Sequence, residues 1–281
     1  MKIAFASGKG GTGKTALSVN FALFCAEEEH TLLLDLDVEE PDVLNFIPRA
    51  EMLNKREISV RIPDIDKEKC DLCGNCVKAC NFNALLLSRE EVKIFPQLCK
   101  NCLACADVCP RDAVTFKEKR IGEVSSFGSD RLDLIEGRLD IGDIHTKTMI
   151  SEAKRSVFKE YDTVIYDCPP GTTCPMVEAV VDADYAALVA EPTLFGLCDL
   201  ELAVSALQKM KKPFGIIINK SEENNDIIKK YCMDNGIVIL ADIPFDEEVF
   251  KRYAEGRDLV SLKWYKGKMA QLRLNIMKAA R

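Results

Sequence analysis

Two stretches of this 281-residue chain hold residue types that serve chemistry better than packing. The first, SGKGGTGKT from Ser7 to Thr15, follows the apolar run KIAFA and satisfies GxxxxGK[ST] through Gly8, Gly13, Lys14 and Thr15. Small residues there, with Gly10, Gly11 and Thr12 completing the loop, let the backbone wrap a phosphate chain. The amides and the following helix N-terminus supply positive potential, Lys14 adds a charge at the β/γ oxygens, and Thr15 ligates Mg²⁺. The second stretch is a repeat: CDLCGNCVKACNFNAL from Cys70 and CKNCLACADVCPRDAV from Cys99 align without gaps at a 29-residue offset, matching four cysteines and then Ala84 with Ala113. Each half reads CxxCxxCxxxC. Soft thiolates at this density suit iron-sulfur clusters. Zinc is the competing reading, although zinc sites usually pair CxxC elements a dozen or more residues apart.

The elements that must position these residues show as apolar runs. KIAFAS, TLLLDLD, DTVIYD, YAALVA, FGIIIN and GIVILAD are near-continuous, as expected when helices cover both faces of a parallel sheet. Helical patterns at 14–26, 200–210 and 225–234 alternate with them, which predicts a doubly wound α/β fold. From Arg49 to Arg120 that rhythm gives way to the cysteine region, and it resumes only near Ser151. The expected organisation is a discontinuous α/β domain carrying the glycine loop, 1–60 and 121–281, with a small α+β insert at 61–120. RLDLIEGRLDIG alternates around Glu136-Gly137 and reads as a β-hairpin. Cys25, Cys198 and Cys232 lie in helical stretches and read as small buried hydrophobes. His30 and His145 have no catalytic motif around them and read as surface residues.

Composition narrows the function classes. A net charge of -7 and a pI near 5.2 leave no electrostatic footprint for nucleic acid. Thirteen cysteines, odd in number and clustered, fit metal ligation better than disulfides. No charged-then-apolar signal opens the sequence, so a cytoplasmic protein is expected. The tail YKGKMAQLRLNIMKAAR mixes basic and apolar residues, but a last core helix accounts for it more simply than a membrane anchor.

With Lys9, the loop resembles the deviant Walker A motif of the MinD, ParA, Mrp and nitrogenase iron protein superfamily. That resemblance implies an ATP-sandwiched homodimer, in which the earlier lysine reaches phosphates held by the partner subunit and acts as an arginine finger does. TLLLDLDVEEPD resembles the switch I segment, with Asp37 matching the carboxylate that orients the attacking water and Asp35 its neighbour. TVIYDCPPGT resembles the Walker B and switch II segment, with Asp167 holding the Mg²⁺ shell and Gly171 free to swing. Asn219 ends FGIIIN where these relatives set an asparagine against the adenine edge, which favours ATP; a turn-capping asparagine is the alternative. Cys174, seven residues after Asp167, resembles the cluster-ligand cysteine of the nitrogenase iron protein, without an evident second ligand.

The cysteine runs resemble the bacterial two-cluster ferredoxin pattern, in which three cysteines of one run and the fourth of the other hold each [4Fe-4S] cube. The resemblance assigns Cys70, Cys73, Cys76 and Cys109 to one cube and Cys99, Cys102, Cys105 and Cys80 to the other. Asn81 stands where the family places proline after the fourth cysteine. The combined expectation is an Mg²⁺-dependent ATPase whose nucleotide state gates electron transfer through two [4Fe-4S] clusters to a redox or metallocluster partner. A cluster-assembly carrier of the Mrp type and a MinD-like positioning ATPase are the alternatives.

Overall fold

The computed structural model describes residues 1–47, 50–223 and 226–280. Strand β1 (Lys2–Ala6) leads through the glycine loop into α1 (Lys14–Ala26) and β2 (Thr31–Asp35). Then come β3 (Glu51–Ile65), α2 (Asn75–Ala79), β4 (Leu85–Leu87), β5 (Val92–Ile94), α3 (Ala104–Asp107), β6 (Val114–Ser129) and β7 (Leu132–Leu139). Alternation resumes with α4 (Thr146–Arg155), β8 (Thr163–Asp167), α5 (Cys174–Val180), β9 (Tyr185–Ala190), α6 (Leu194–Lys209), β10 (Phe214–Ser221), α7 (Ile227–Asp234), β11 (Ile239–Pro244), α8 (Glu247–Ala254) and α9 (Lys263–Ala279). The expected start of the helix before β11, at Asn225, lies outside the described residues.

The main sheet runs β11-β10-β9-β1-β8-β2-β7-β6-β3. Its seven strands from β11 to β7 are mutually parallel, and β6 and β3 add as an antiparallel pair at one edge. This is the doubly wound architecture expected from the apolar runs. Leu17, Phe21, Met269 and Leu272 of α1 and α9 cover one face. Met149, Met176, Leu200 and Leu207 of α4, α5 and α6 cover the other. With both faces buried, β2 and β8 have no exposed position at all, which is why their sequences lack alternation.

The edge strands explain how the cysteine region attaches. β7 stops pairing with β6 at Gly122, whereas β3 and β6 go on pairing from Ser59↔Arg120 to Ile65↔Val114. β3 runs parallel to β7, so this ribbon projects past the C-terminal ends of the parallel strands, the edge where open α/β sheets bind ligands. Pro63 is tolerated because β3 is an outer strand.

The hairpin expected at Glu136-Gly137 does not form. Residues 132–139 are one strand, paired with β2 on one side and β6 on the other, and the turn lies at Asp130 (φ 46°) before it. Gly137 serves packing instead: a Cβ there would stand 2.8 Å from Val38 Cγ1 and 3.3 Å from Ala153 Cβ.

Candidate functional site

Parallel pairing sets the nucleotide-loop side chains against the acidic strand ends. β1 lies between β8 and β9, and β2 pairs with β8 so that Asp35 is the register partner of Asp167. Asp167, fully buried, accepts from Lys14 Nζ at 2.9 Å and from Thr15 Oγ1 at 2.7 Å. Burial disfavours the Lys14 charge, but the Asp167 carboxylate outweighs it and holds the ammonium above the ordinary lysine range. Asp35 is also fully buried and accepts from the backbone N–H groups of Asp37, Asp42 and Val43 at 3.1 Å each. It thereby folds the chain after β2 back onto the loop. Burial, then the Asp167 charge, pushes Asp35 well above the usual carboxylate range. Asp37 is pushed up to about 6, chiefly by burial, with Lys14 opposing.

A cavity of about 420 Å³ opens beside this cluster, within the range that holds small ligands. Gly10, Gly11, Thr12, Gly13, Lys14 and Thr15 line it together with Asp37 and Asn219. Asn219 Nδ2 donates to the Thr12 carbonyl at 2.8 Å. Gly13 (φ 86°) must lack a side chain because its Cβ would stand 2.3 Å from that amide nitrogen. Gly8 packs under α6, where a Cβ would meet the Asp199 carbonyl oxygen at 2.2 Å. Lys9 does not line the cavity; its ammonium lies 3.4 Å from Glu191, a carboxylate that also takes Lys220 at 2.5 Å.

The far wall was not apparent from residue types. Pro244, Phe245, Phe250 and Tyr253 bring apolar surface to the cavity from the end of β11 and from α8. Tyr253 stacks on Phe46 with ring centroids 4.6 Å apart. The available signal was the acidic Asp246 before an amphipathic run: its carboxylate accepts from the N–H groups of Glu248 at 2.8 Å and Val249 at 3.0 Å, capping α8.

The eight clustered cysteines fall into two cavities. One is lined by Cys70, Cys73, Cys76 and Cys109, the other by Cys80, Cys99, Cys102 and Cys105. Each set draws three thiols from one run and the fourth from the other. The repeat holds in backbone conformation too. Left-handed residues recur 29 positions apart at Leu72 and Asn101, Gly74 and Leu103, and Asn83 and Asp112. The amides of Ala84 and Ala113 donate to Cys80 Sγ and Cys109 Sγ, at 3.3 Å each. All thirteen cysteines are free thiols. Among the described residues no three His, Cys, Asp or Glu side chains converge as one ion would need. A cubane asks for a different geometry, one thiolate at each iron corner, and the two sets of four fit that donor count. Burial pushes the Cys105 thiol up to about 11, so a cationic metal is what would favour its thiolate form.

The remaining expected positions divide. Cys25 and Cys232 are buried as expected, whereas Cys198 is exposed because it lies on the outer side of α6. Cys168, buried after Asp167, escaped the sequence reading. Cys174 is exposed at the start of α5. His30 is exposed. His145 is not a surface residue: it is 3% exposed, and its Nδ1 lies 2.5 Å from Asp143 Oδ1. Among the described residues no helix is long and apolar enough to cross a membrane.

Comparison with known proteins agrees with this architecture. Residues 3–260 match the family described as the CobQ/CobB/MinD/ParA nucleotide binding domain. An uncharacterized protein of Methanocaldococcus jannaschii is 30% identical over 261 residues, covering 92% of this chain and 91% of the relative. A ferredoxin of Methanothermococcus thermolithotrophicus is 39% identical over 56 residues, which is 20% of this chain and 93% of the ferredoxin. The cell division ATPase MinD of Pyrococcus furiosus superposes with a TM-score of 0.60 at 19% identity, covering 99% of this chain and 98% of that one.

Proposed function

The chain belongs to the CobQ/CobB/MinD/ParA nucleotide-binding domain family, and on that premise we propose that it is an Mg²⁺-dependent ATPase whose nucleotide state governs electron transfer through two [4Fe-4S] clusters to a redox or metallocluster partner. The observation that carries the second half is the sorting of eight thiols into two separate cavities of four on a ribbon projecting from the nucleotide edge.

Lys14 rests on Asp167 and is positioned to transfer its charge to a triphosphate entering the loop. Thr15 and Asp167, already hydrogen-bonded to each other, supply the hydroxyl and carboxylate of an Mg²⁺ shell. Asp37 lines the same cavity and orients the attacking water. Asn219, pinned to the loop, faces the base, and Phe245 and Phe250 offer it apolar surface. Lys9 is held by Glu191 within its own chain, so closing an ATP-sandwiched dimer requires exchanging that carboxylate for a phosphate on the partner copy. Two [4Fe-4S] cubes, when bound, supply one-electron chemistry. Cys70, Cys73, Cys76 and Cys109 would hold one, and Cys80, Cys99, Cys102 and Cys105 the other. The insert is proposed to span 61–120.

Each thiol set has four members and leaves no open corner, which favours permanent clusters over a cargo to be delivered as in an Mrp-type carrier. The test is anaerobic purification followed by iron and sulfide analysis and ATPase assay with a reducible acceptor. About eight irons and eight sulfides per chain are expected, with ATP turnover and acceptor reduction rising together. Iron that leaves for an apo acceptor, or turnover independent of acceptor reduction, would overturn the reading.

A further inference from the structure

The two thiol sets are not equally placed. Cys70, Cys76 and Cys105 pack in a small cluster of the insert with Leu85 and Val92. Only the second set also reaches the main core: Cys99, and Cys80, which packs against the insert's cluster as well, join the cluster that contains Ile62, Ile121, Leu139 and Met149. Residues 139–146, between β7 and α4, join the chain after β2 to the loop that carries Cys99 and Cys102. Both ends of the segment hold the chain after β2: Leu139 N–H donates to the Val38 carbonyl at 2.8 Å, and Thr146 Oγ1 donates to Glu39 Oε1 at 2.8 Å. Between those ends, the Ile144 carbonyl accepts from Lys100 Nζ at 3.3 Å.

The middle is held from inside. The Asp143 carboxylate, 4% exposed, accepts from the His145 backbone N–H at 3.0 Å and from Lys119 Nζ at 2.6 Å, and meets His145 Nδ1 at 2.5 Å. His145 Nε2 is buried and meets no hydrogen-bond partner among the described residues. A carboxylate serving three groups makes the turn stiff, so a displacement at Glu39 is passed on to Lys100 and not absorbed between them. Val38 and Glu39 follow Asp37 directly, in the segment expected to move with the γ-phosphate.

We propose that residues 139–146 are a strap that carries the nucleotide state to one thiol set, Cys80, Cys99, Cys102 and Cys105, and leaves the other unresponsive. Thr146 ties it to the chain after β2 and Lys100 ties it, at Ile144, to the cysteine loop; both act as positioning residues. This rests on the ATPase and iron-sulfur reading above, and the test separates the two.

The full iron-loaded chain is followed by anaerobic hydrogen exchange with and without a non-hydrolysable ATP analogue and Mg²⁺. The expected result is exchange slowed at least about threefold over 98–105 and 140–146, with no change over 70–76. In Thr146→Val and in Lys100→Gln the effect over 98–105 is lost, while analogue affinity and iron content stay at wild-type values. Equal changes over 70–76 and 98–105, or a response at 98–105 that survives both substitutions, would overturn the strap. Chains that hold no iron after anaerobic purification and still show this exchange pattern would overturn the cluster reading and uphold the strap, so the two fail separately.

Discussion

The nucleotide cavity and the cysteine unit are built on opposite physical terms. The first is assembled by strand register within a large core, so Lys14, Asp35 and Asp167 are held in place by packing before any ligand arrives. The second has two three-residue strands, helices of five and four residues, and four buried residues in its own cluster. Units with so little apolar interior need staples such as metals to stay ordered. The contrast predicts that the nucleotide half keeps its shape without a ligand, whereas the cysteine half loses its own without a metal.

The largest effect tests the pre-built half. Lys14→Ala should lower ATPase kcat/KM by about 10²- to 10³-fold, since it removes the ammonium that Asp167 holds at the loop. The variant's melting curve shows whether folding is spared. A loss under tenfold would mean that the loop amides suffice. Iron removal tests the other half. Chelation under reducing conditions should make 66–113 sensitive to protease while the remaining chain resists, read by mass analysis of the fragments; uniform cleavage would erase the contrast.

A smaller effect comes from Asp37, pushed up to about 6 by burial. In the proposed role its carboxylate is the form that orients water, so activity should be gained as pH rises through that value. ATPase kcat/KM should fall about tenfold from pH 7 to pH 5, and Asp37→Asn should remove this dependence along with most of the rate. Smallest is Asp246→Ala. No residue of α8 is buried, so its first turn depends on this cap. The change should cost about 1 kcal/mol of local order and weaken ATP binding a few-fold by calorimetry, without altering iron content.

How far the molecule was legible follows from what each residue needs. The nucleotide loop and the cysteine runs were legible because their spacing has few other uses, and the buried strands because both-sided burial leaves continuous apolar runs. The cavity's far wall was not, since Phe245, Phe250 and Tyr253 look like ordinary apolar residues until β11 and α8 bring them to the loop. RLDLIEGRLDIG misled because Gly137 suits both a turn and a tight contact, and only Val38 and Ala153 across the interface decide between them. His145 misled for a related reason. Its partner Asp143 is two residues away, but Lys119, which also binds that carboxylate, comes from β6. The long ribbon of β3 and β6 was hidden by the charged residues set among its buried ones: Arg61 is exposed between Val60 and Ile62, and Lys117 and Glu118 are exposed on the partner strand.

The 29-residue repeat interlocks its two halves. Because each cavity takes three thiols from one run and one from the other, a chain with a single run could close neither. Neither half of the repeat is therefore a unit by itself, and the matching left-handed turns at 72 and 101, 74 and 103, and 83 and 112 carry the same internal symmetry into the backbone.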